Sequence, residues 1–184
     1  PEDKLEYFEV PNNPEQPEKG MRKLPLTREL NIERDDFAEV PPPKFHRLKP
    51  GGEVRLMGAY VVKCESIIKD ENGQVVEILC SYDPETGGKN PADGRKIKGT
   101  IHWVSAKYCK DIDIMLYDKL FTIPNLGNLP EDKSFDDYLN PNSLIKLCHC
   151  KAEMSIEDAK PGDRFQFVRT GYFTMDSKYP NTFN

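Results

Sequence analysis

Several groups of side chains in this 184-residue chain have types and spacings that could do chemistry. Cys148-His149-Cys150 sets two thiols and an imidazole within three residues. Thiolate and imidazole are zinc ligands, but a structural zinc site takes four, usually as two paired knuckles, and no second pair accompanies this one. In a strand the two cysteines would point one way and the histidine the other, so a core-strand role is the preferred reading. A cysteine nucleophile with His46, His102 or His149 as base meets the same answer, because no nucleophile signature surrounds any of the five cysteines. Gly51-Gly52 and Gly87-Gly88 read as turn glycines, since neither G-x-x-x-x-G-K-[ST] nor G-x-G-x-x-G is present. Asp111, Asp113 and Asp118 read as solvated strand faces.

Arginine offers more. Arg47 and Arg55 flank the Pro50-Gly51-Gly52 turn and so project from either side of one loop, with Phe45, His46 and Tyr60 near them as stacking or packing groups. Arginine at a loop edge can hydrogen-bond base edges and phosphate, and aromatic rings stack on splayed bases. Gln166 and Arg169 lie in FQFVRTGYF, where Phe165, Phe167 and Tyr172 read as core residues of a terminal strand.

The elements that must carry these residues are strands. Sixteen prolines leave little room for long helices. Residues 1–20 read as an extended segment without apolar periodicity. Leu24, Leu26, Leu30 and Ile32 fall at even spacing, which predicts one strand with Pro25 near its start or on an edge. Val40-Pro41-Pro42-Pro43 predicts a polyproline-like passage between two subdomains. The clearest local signal is a hairpin, with flanks over 53–69 and 74–83 and Asn72-Gly73 supplying a primed two-residue turn. Further strands are predicted over 98–105, 112–117, 144–152 and 165–174, and short helical turns over 116–121, 135–139 and 155–160, the last with a Ser155/Asp158 cap spacing. Many short strands between turn signals point to barrels or sandwiches.

Composition narrows the function classes. The net charge of −5 argues against a polybasic nucleic-acid binder. Charge is uneven, however: residues 1–40 carry −5, residues 41–110 carry +4 and residues 111–184 carry −4. A phosphate-bearing partner is therefore expected to land on the middle segment. No run reaches the ~18 apolar residues of a membrane span and the start PEDKLEYFEV lacks signal-peptide regions, so a soluble, cytoplasmic chain with reduced thiols is expected.

One set of motifs carries a resemblance. KGTIHWVSA at 98–106, preceded by PADGRK, is similar to the C-terminal part of glutaminyl-tRNA synthetases. EVRLMGAYVVKCE, LYDKLF, LNPNSL and FQFVRTGYF occur in the order that family shows, and the resemblance covers essentially the whole chain. It implies an all-β region of two small β-barrels, proximal and distal to a catalytic domain, with short helical turns. The class I catalytic signatures, HIGH-like and KMSKS-like, are absent from the chain, so it resembles an excised piece without aminoacylation chemistry.

The resemblance also implies roles. Anticodon bases are splayed into pockets, with Arg47 on the third base, Arg55 on the first base or its phosphate, and Gln166 on the central uridine with Arg169 in support. Lys44 and His46 stand where the family pattern has Gln and Lys; Glu15, Met57 and Val168 depart from it as well. No cofactor or metal is implied for the chain itself, while ATP belongs to the catalytic domain of the parent. The implied partners are glutamine tRNA and that catalytic domain, with no membrane and a monomeric state. The expected divisions are a lead-in with the first strands over 1–40, a barrel over 41–110, and a second barrel over 111–184 completed by strands from the N-terminal segment. A structural or protein-interaction module that has lost RNA binding is the competing reading, resting on Met57 and His46.

Overall fold

The computed structural model describes residues 4–184. Two compact units divide the chain: the first runs through Cys109 and includes Glu153–Ser155, and the second comprises Lys110–Ala152 and Ile156–Asn184.

The first unit is built from β1 (Glu6–Pro11), β2 (Met21–Leu26), β3 (Leu30–Ile32), β4 (Glu53–Leu56), β5 (Val61–Lys69), β6 (Val75–Asp83), β7 (Thr100–Ile101) and β8 (Trp103–Ser105). β1 pairs antiparallel with β2, β3 pairs antiparallel with β8, and a four-stranded sheet runs in the order β6-β5-β4-β7. Residues 4–20 are thus more than an extended lead-in. Phe8 and Val10 turn inward while Tyr7 and Glu9 face water, the period-two pattern of a half-buried strand, and Pro17 opens a 3-10 turn where its missing N–H costs nothing. The single strand expected over 24–32 is two, broken at Thr27-Arg28-Glu29. β3 joins β8, and the N-terminal strands lie in the first unit. The core gathers Val10, Leu24, Leu48, Val54, Leu56, Ala59, Val62, Cys64, Ile101 and Trp103.

The β5–β6 hairpin forms with a different turn from the one the sequence predicts. Among its turn residues only Gly73 has positive φ, and Gly73 N–H donates to Asp70 O, so the turn is not the primed type. The Asp70 carboxylate accepts from the N–H groups of Asn72 and Gln74, which selects this geometry. Its first flank is also divided. β4 ends at Leu56 and the chain turns at Gly58 (φ +71), where an added Cβ would lie 2.4 Å from Val10 Cγ1.

The second unit contains β9 (Cys109–Tyr117, after its first residue), β10 (Leu144–Glu153, through Ala152), β11 (Arg164–Phe167), β12 (Gly171–Thr174) and β13 (Thr182–Phe183). β9 lies between β10 and β13, and β11 pairs antiparallel with β12. The terminal segment 165–174 is therefore a hairpin turning at Val168-Arg169-Thr170. Ile112, Ile114, Ile156, Phe173 and Phe183 form its core, with Phe167 stacked on Phe173 at 4.7 Å between centroids. A 3-10 turn spans Phe135–Tyr138 behind a Ser134/Asp137 capping box, whereas 116–121 is a strand end followed by irregular chain. Ser155 sits inside a 3-10 turn, Met154–Ile156, its hydroxyl donating to Glu153 in place of a cap.

The fold is all-β, and none of its ladders closes on itself. No helix among the described residues is long and apolar enough to cross a membrane.

Candidate nucleic-acid interface

Residues 37–48 form a loop closed at its base. Leu48 N–H donates to Asp36 O at 2.9 Å and Ala38 N–H to Leu48 O at 3.1 Å, with Leu48 itself buried. Val40-Pro41-Pro42-Pro43 lies inside this loop, within the first unit, and not at a passage between units. At its tip Phe45 N–H donates to Pro42 O, and Lys44 takes φ +63. Proline at the second position and a positive φ at the third make a type II turn. A lysine there bears a conformational cost that glycine would not, and such residues cluster at functional sites.

Arg47 leaves the loop with Nη1 donating to Asp36 Oδ1. Asp36 is fully buried, while 38% of the Arg47 side chain remains exposed. A buried carboxylate thus holds one edge of the guanidinium and leaves the rest toward solvent. His46 is exposed and its backbone is buttressed from below: a Cβ on Gly99 would lie 1.9 Å from His46 O. Tyr60, expected near as a stacking group, is a core residue instead. It is buried edge-on against Phe8, and its hydroxyl donates to Glu6 at 2.9 Å.

Arg55 is placed differently from Arg47. Nη1 donates to Ala59 O and Thr86 O, both at 3.2 Å, and Nη2 to Lys89 O at 2.6 Å. Those bonds tie the 84–95 loop to the β4–β5 turn. Arg95 of PADGRK is likewise structural, set among Asp83, Glu53 and Asp93. Lys44, Lys49, Lys96 and Lys98 are exposed and enter no ion pair among the described residues.

KGTIHWVSA is a scaffold. Ile101 and Trp103 are core residues, with Trp103 Nε1 donating to Met57 O at 3.0 Å. The buried Ser105 hydroxyl lies 2.7 Å from that of Thr27 and accepts from the N–H groups of Lys107 and Tyr108. His102 Nε2 donates to Glu153 Oε1 at 3.0 Å, and Arg22 Nε donates to Glu153 Oε2 at 2.6 Å. Burial alone would raise the Glu153 pKa, but the hydrogen bonds from His102 and Arg22 and their charge outweigh it and hold the group at about 2.

In the second unit, Gln166 lies on the exposed face of β11, directly opposite Tyr172 of β12, while Phe165 and Phe167 turn to the core. Tyr172 is therefore not the core residue expected: it is 80% exposed, because the hairpin turn puts it in register with Gln166 and not with the phenylalanines. Reading Thr170-Gly171 as a hairpin closure would have revealed it. Arg169 occupies the turn with φ +68. Cys148 and His149 are exposed on β10, and His149 at φ +58 breaks the strand's alternation. No group of three or more His, Cys, Asp or Glu able to hold a metal occurs among the described residues.

An all-β chain with polar and aromatic residues presented on loops and hairpin faces is the kind of surface that reads unpaired bases. Residues 1–83 match the family described as tRNA synthetases class I (E and Q), anti-codon binding domain, and residues 100–176 match a second family of the same description. The chain belongs to these anticodon-binding domains. More particularly, it is 51% identical to the glutamine–tRNA ligase of Pseudomonas putida over 97% of its own length and 31% of that relative's. Identity to the glutamine–tRNA ligases of Pseudomonas aeruginosa PAO1 and Azotobacter vinelandii is 50% and 48%, again over 97% of the chain and 32% of each relative. The chain spans about a third of the length of the curated relatives it matches.

Proposed function

We propose that this chain recognises the anticodon of glutamine tRNA as the C-terminal part of a glutaminyl-tRNA synthetase. The rest of that protein would join glutamine to the tRNA at the expense of ATP in a catalytic domain, as a cytoplasmic monomer. The two units would serve as the two small barrels of such a region. Arg47 reads the third anticodon base, Gln166 the central uridine with Arg169 beside it, and Lys44 and His46 flank the reading edge. Arg55, with three of its N–H groups on backbone carbonyls, serves the first base or its phosphate chiefly by fixing the 84–95 loop.

The observation that carries this reading is the cross-strand pair of Gln166 and Tyr172 on an outward face. An amide that can bond a base edge next to an exposed ring that can stack on a base is a single-strand reading surface. A fixed-salt titration with the glutamine anticodon stem-loop and with one mismatched at the central base tests it. The cognate loop should bind tighter by about 1–3 kcal/mol. Equal affinities would sink the proposal.

A further inference from the structure

Cys64 and Cys80 are directly opposite one another in the antiparallel β5–β6 ladder. Cys64 N–H donates to Gly52 O at 3.0 Å and Cys64 O accepts from Gly51 N–H at 3.0 Å. In an antiparallel sheet a residue's N–H and C=O point to the same side, so both backbone groups of Cys64 face Gly51-Gly52 and away from β6. The Cys64/Cys80 pair is therefore of the non-hydrogen-bonded kind, whose Cα atoms approach to about 4.5 Å with side chains on one face and close together. That spacing falls inside the window of roughly 4.4–6.8 Å that a disulfide spans. The register shift immediately after Cys64 marks a bulge, which adds local twist for the two sulfurs to adjust. Cys64 is buried and Cys80 exposed, and both are free thiols.

We propose that Cys64 and Cys80 are a modification site: they form a reversible cross-strand disulfide behind the Pro50-Gly51-Gly52 turn. The oxidant is a small disulfide of the glutathione type, admitted through the exposed partner. The Cys80 thiolate attacks a sulfur of the oxidant, and one small thiol leaves. The Cys64 thiol then loses its proton to solvent and attacks the Cys80 sulfur, expelling the second small thiol. The protein loses two hydrogens, and the oxidant becomes two thiols. Once formed, the bond ties the edge strand β6 to the strand whose backbone holds Gly51-Gly52. Although Cys80 is exposed as a residue, desolvation of its thiol against the sheet, then the adjacent Cys64 and Glu65, push it up to about 11, so the exchange is slow at neutral pH and quickens as pH rises.

The test is oxidation of the whole folded chain with glutathione disulfide, followed by proteolytic mapping without reduction. Peptides containing residues 64 and 80 should appear joined, the link should vanish with dithiothreitol, and the rate should climb about tenfold per pH unit between 7 and 9. In the urea-unfolded chain the preference for this pair over pairs with Cys109, Cys148 or Cys150 should drop at least about tenfold, because only the fold sets the register. Cys80→Ser, a near-isosteric change at an exposed position, should abolish the link, as should Cys64→Ala. A folded chain in which Cys80 stays capped by glutathione with no 64–80 link would overturn the proposal, and so would equal pairing in the folded and unfolded chains.

Discussion

Arg47 meets solvent already held, since its partner Asp36 is fully buried on the protein side. Removing the arginine would leave a carboxylate buried without it, so Arg47→Ala confounds binding with folding. Arg47→Lys keeps the charge and loses the planar fork, and it should weaken stem-loop binding by about 1–3 kcal/mol with a urea midpoint near that of the parent chain. Asp36→Asn should lower stability by about 1–3 kcal/mol in urea, and it should also weaken RNA binding although Asp36 itself does not reach solvent. Binding that survives Asp36→Asn unchanged would remove the orienting role. Tyr172 is the converse case. At 80% exposure it contributes little to folding, so Tyr172→Ala should leave the thermal midpoint within about 1–2 °C. If it stacks on a base, the same change costs about 1–3 kcal/mol of stem-loop affinity and Tyr172→Phe recovers it. Unaltered affinity for Tyr172→Ala would deny the ring that role.

At the scale of elements, the motif KGTIHWVSA supports the candidate site without forming it. Gly99 must be glycine because the His46 carbonyl lies against it, and Arg55 N–H donates to Gly99 O at 2.9 Å. Gly99→Ala should therefore cost about 2–4 kcal/mol and loosen residues 44–47 with it, read as a lower urea midpoint together with weaker stem-loop binding. Strands over 112–117 and 144–152 were legible from the turn residues that bound them, and the β5–β6 hairpin from its β-branched and aromatic flanks. Where the reading failed, distant partners decide: Gly58 against Val10 breaks 53–69 in two, and the Phe167/Gly171 pairing folds 165–174 back and carries Tyr172 outward. Arg47 and Gln166 could be proposed as reading residues from motif and residue type. Asp36 could not, because nothing local shows that a 3-10 turn eleven residues upstream sits beneath Arg47. The Glu153 cluster is of the same tertiary kind and predicts a pH effect. Its folded pKa of about 2 lies below an ordinary carboxyl's, so its stabilisation is complete above about pH 4.5 and is lost as pH falls toward 2. On the order of 3 kcal/mol is at stake, and Glu153→Gln should flatten that part of the stability–pH curve measured by urea titration.

For the molecule as a whole, the sequence charge of −5 must be reconciled with the polyanion binding proposed for it. The +4 of residues 41–110 overstates what is available, because Arg47 and Lys69 are committed to Asp36 and Glu39, carboxylates outside that stretch. Lys44, Lys49, Lys96 and Lys98 are not, and Gly99 places the last two beside the loop that carries Lys44. With few uncommitted cations on an acidic body, non-specific affinity should be small and the salt dependence shallow. If these four lysines neutralise phosphates of the unpaired loop, the slope of log K against log salt should be about −3. Lys96→Ala and Lys98→Ala should each lower affinity by a similar factor for cognate and mismatched stem-loops, and each should reduce the slope by about 0.7. A lysine change that instead altered the preference between the two loops would place that residue among the base-reading groups, and a slope unmoved in both variants would put the phosphates elsewhere.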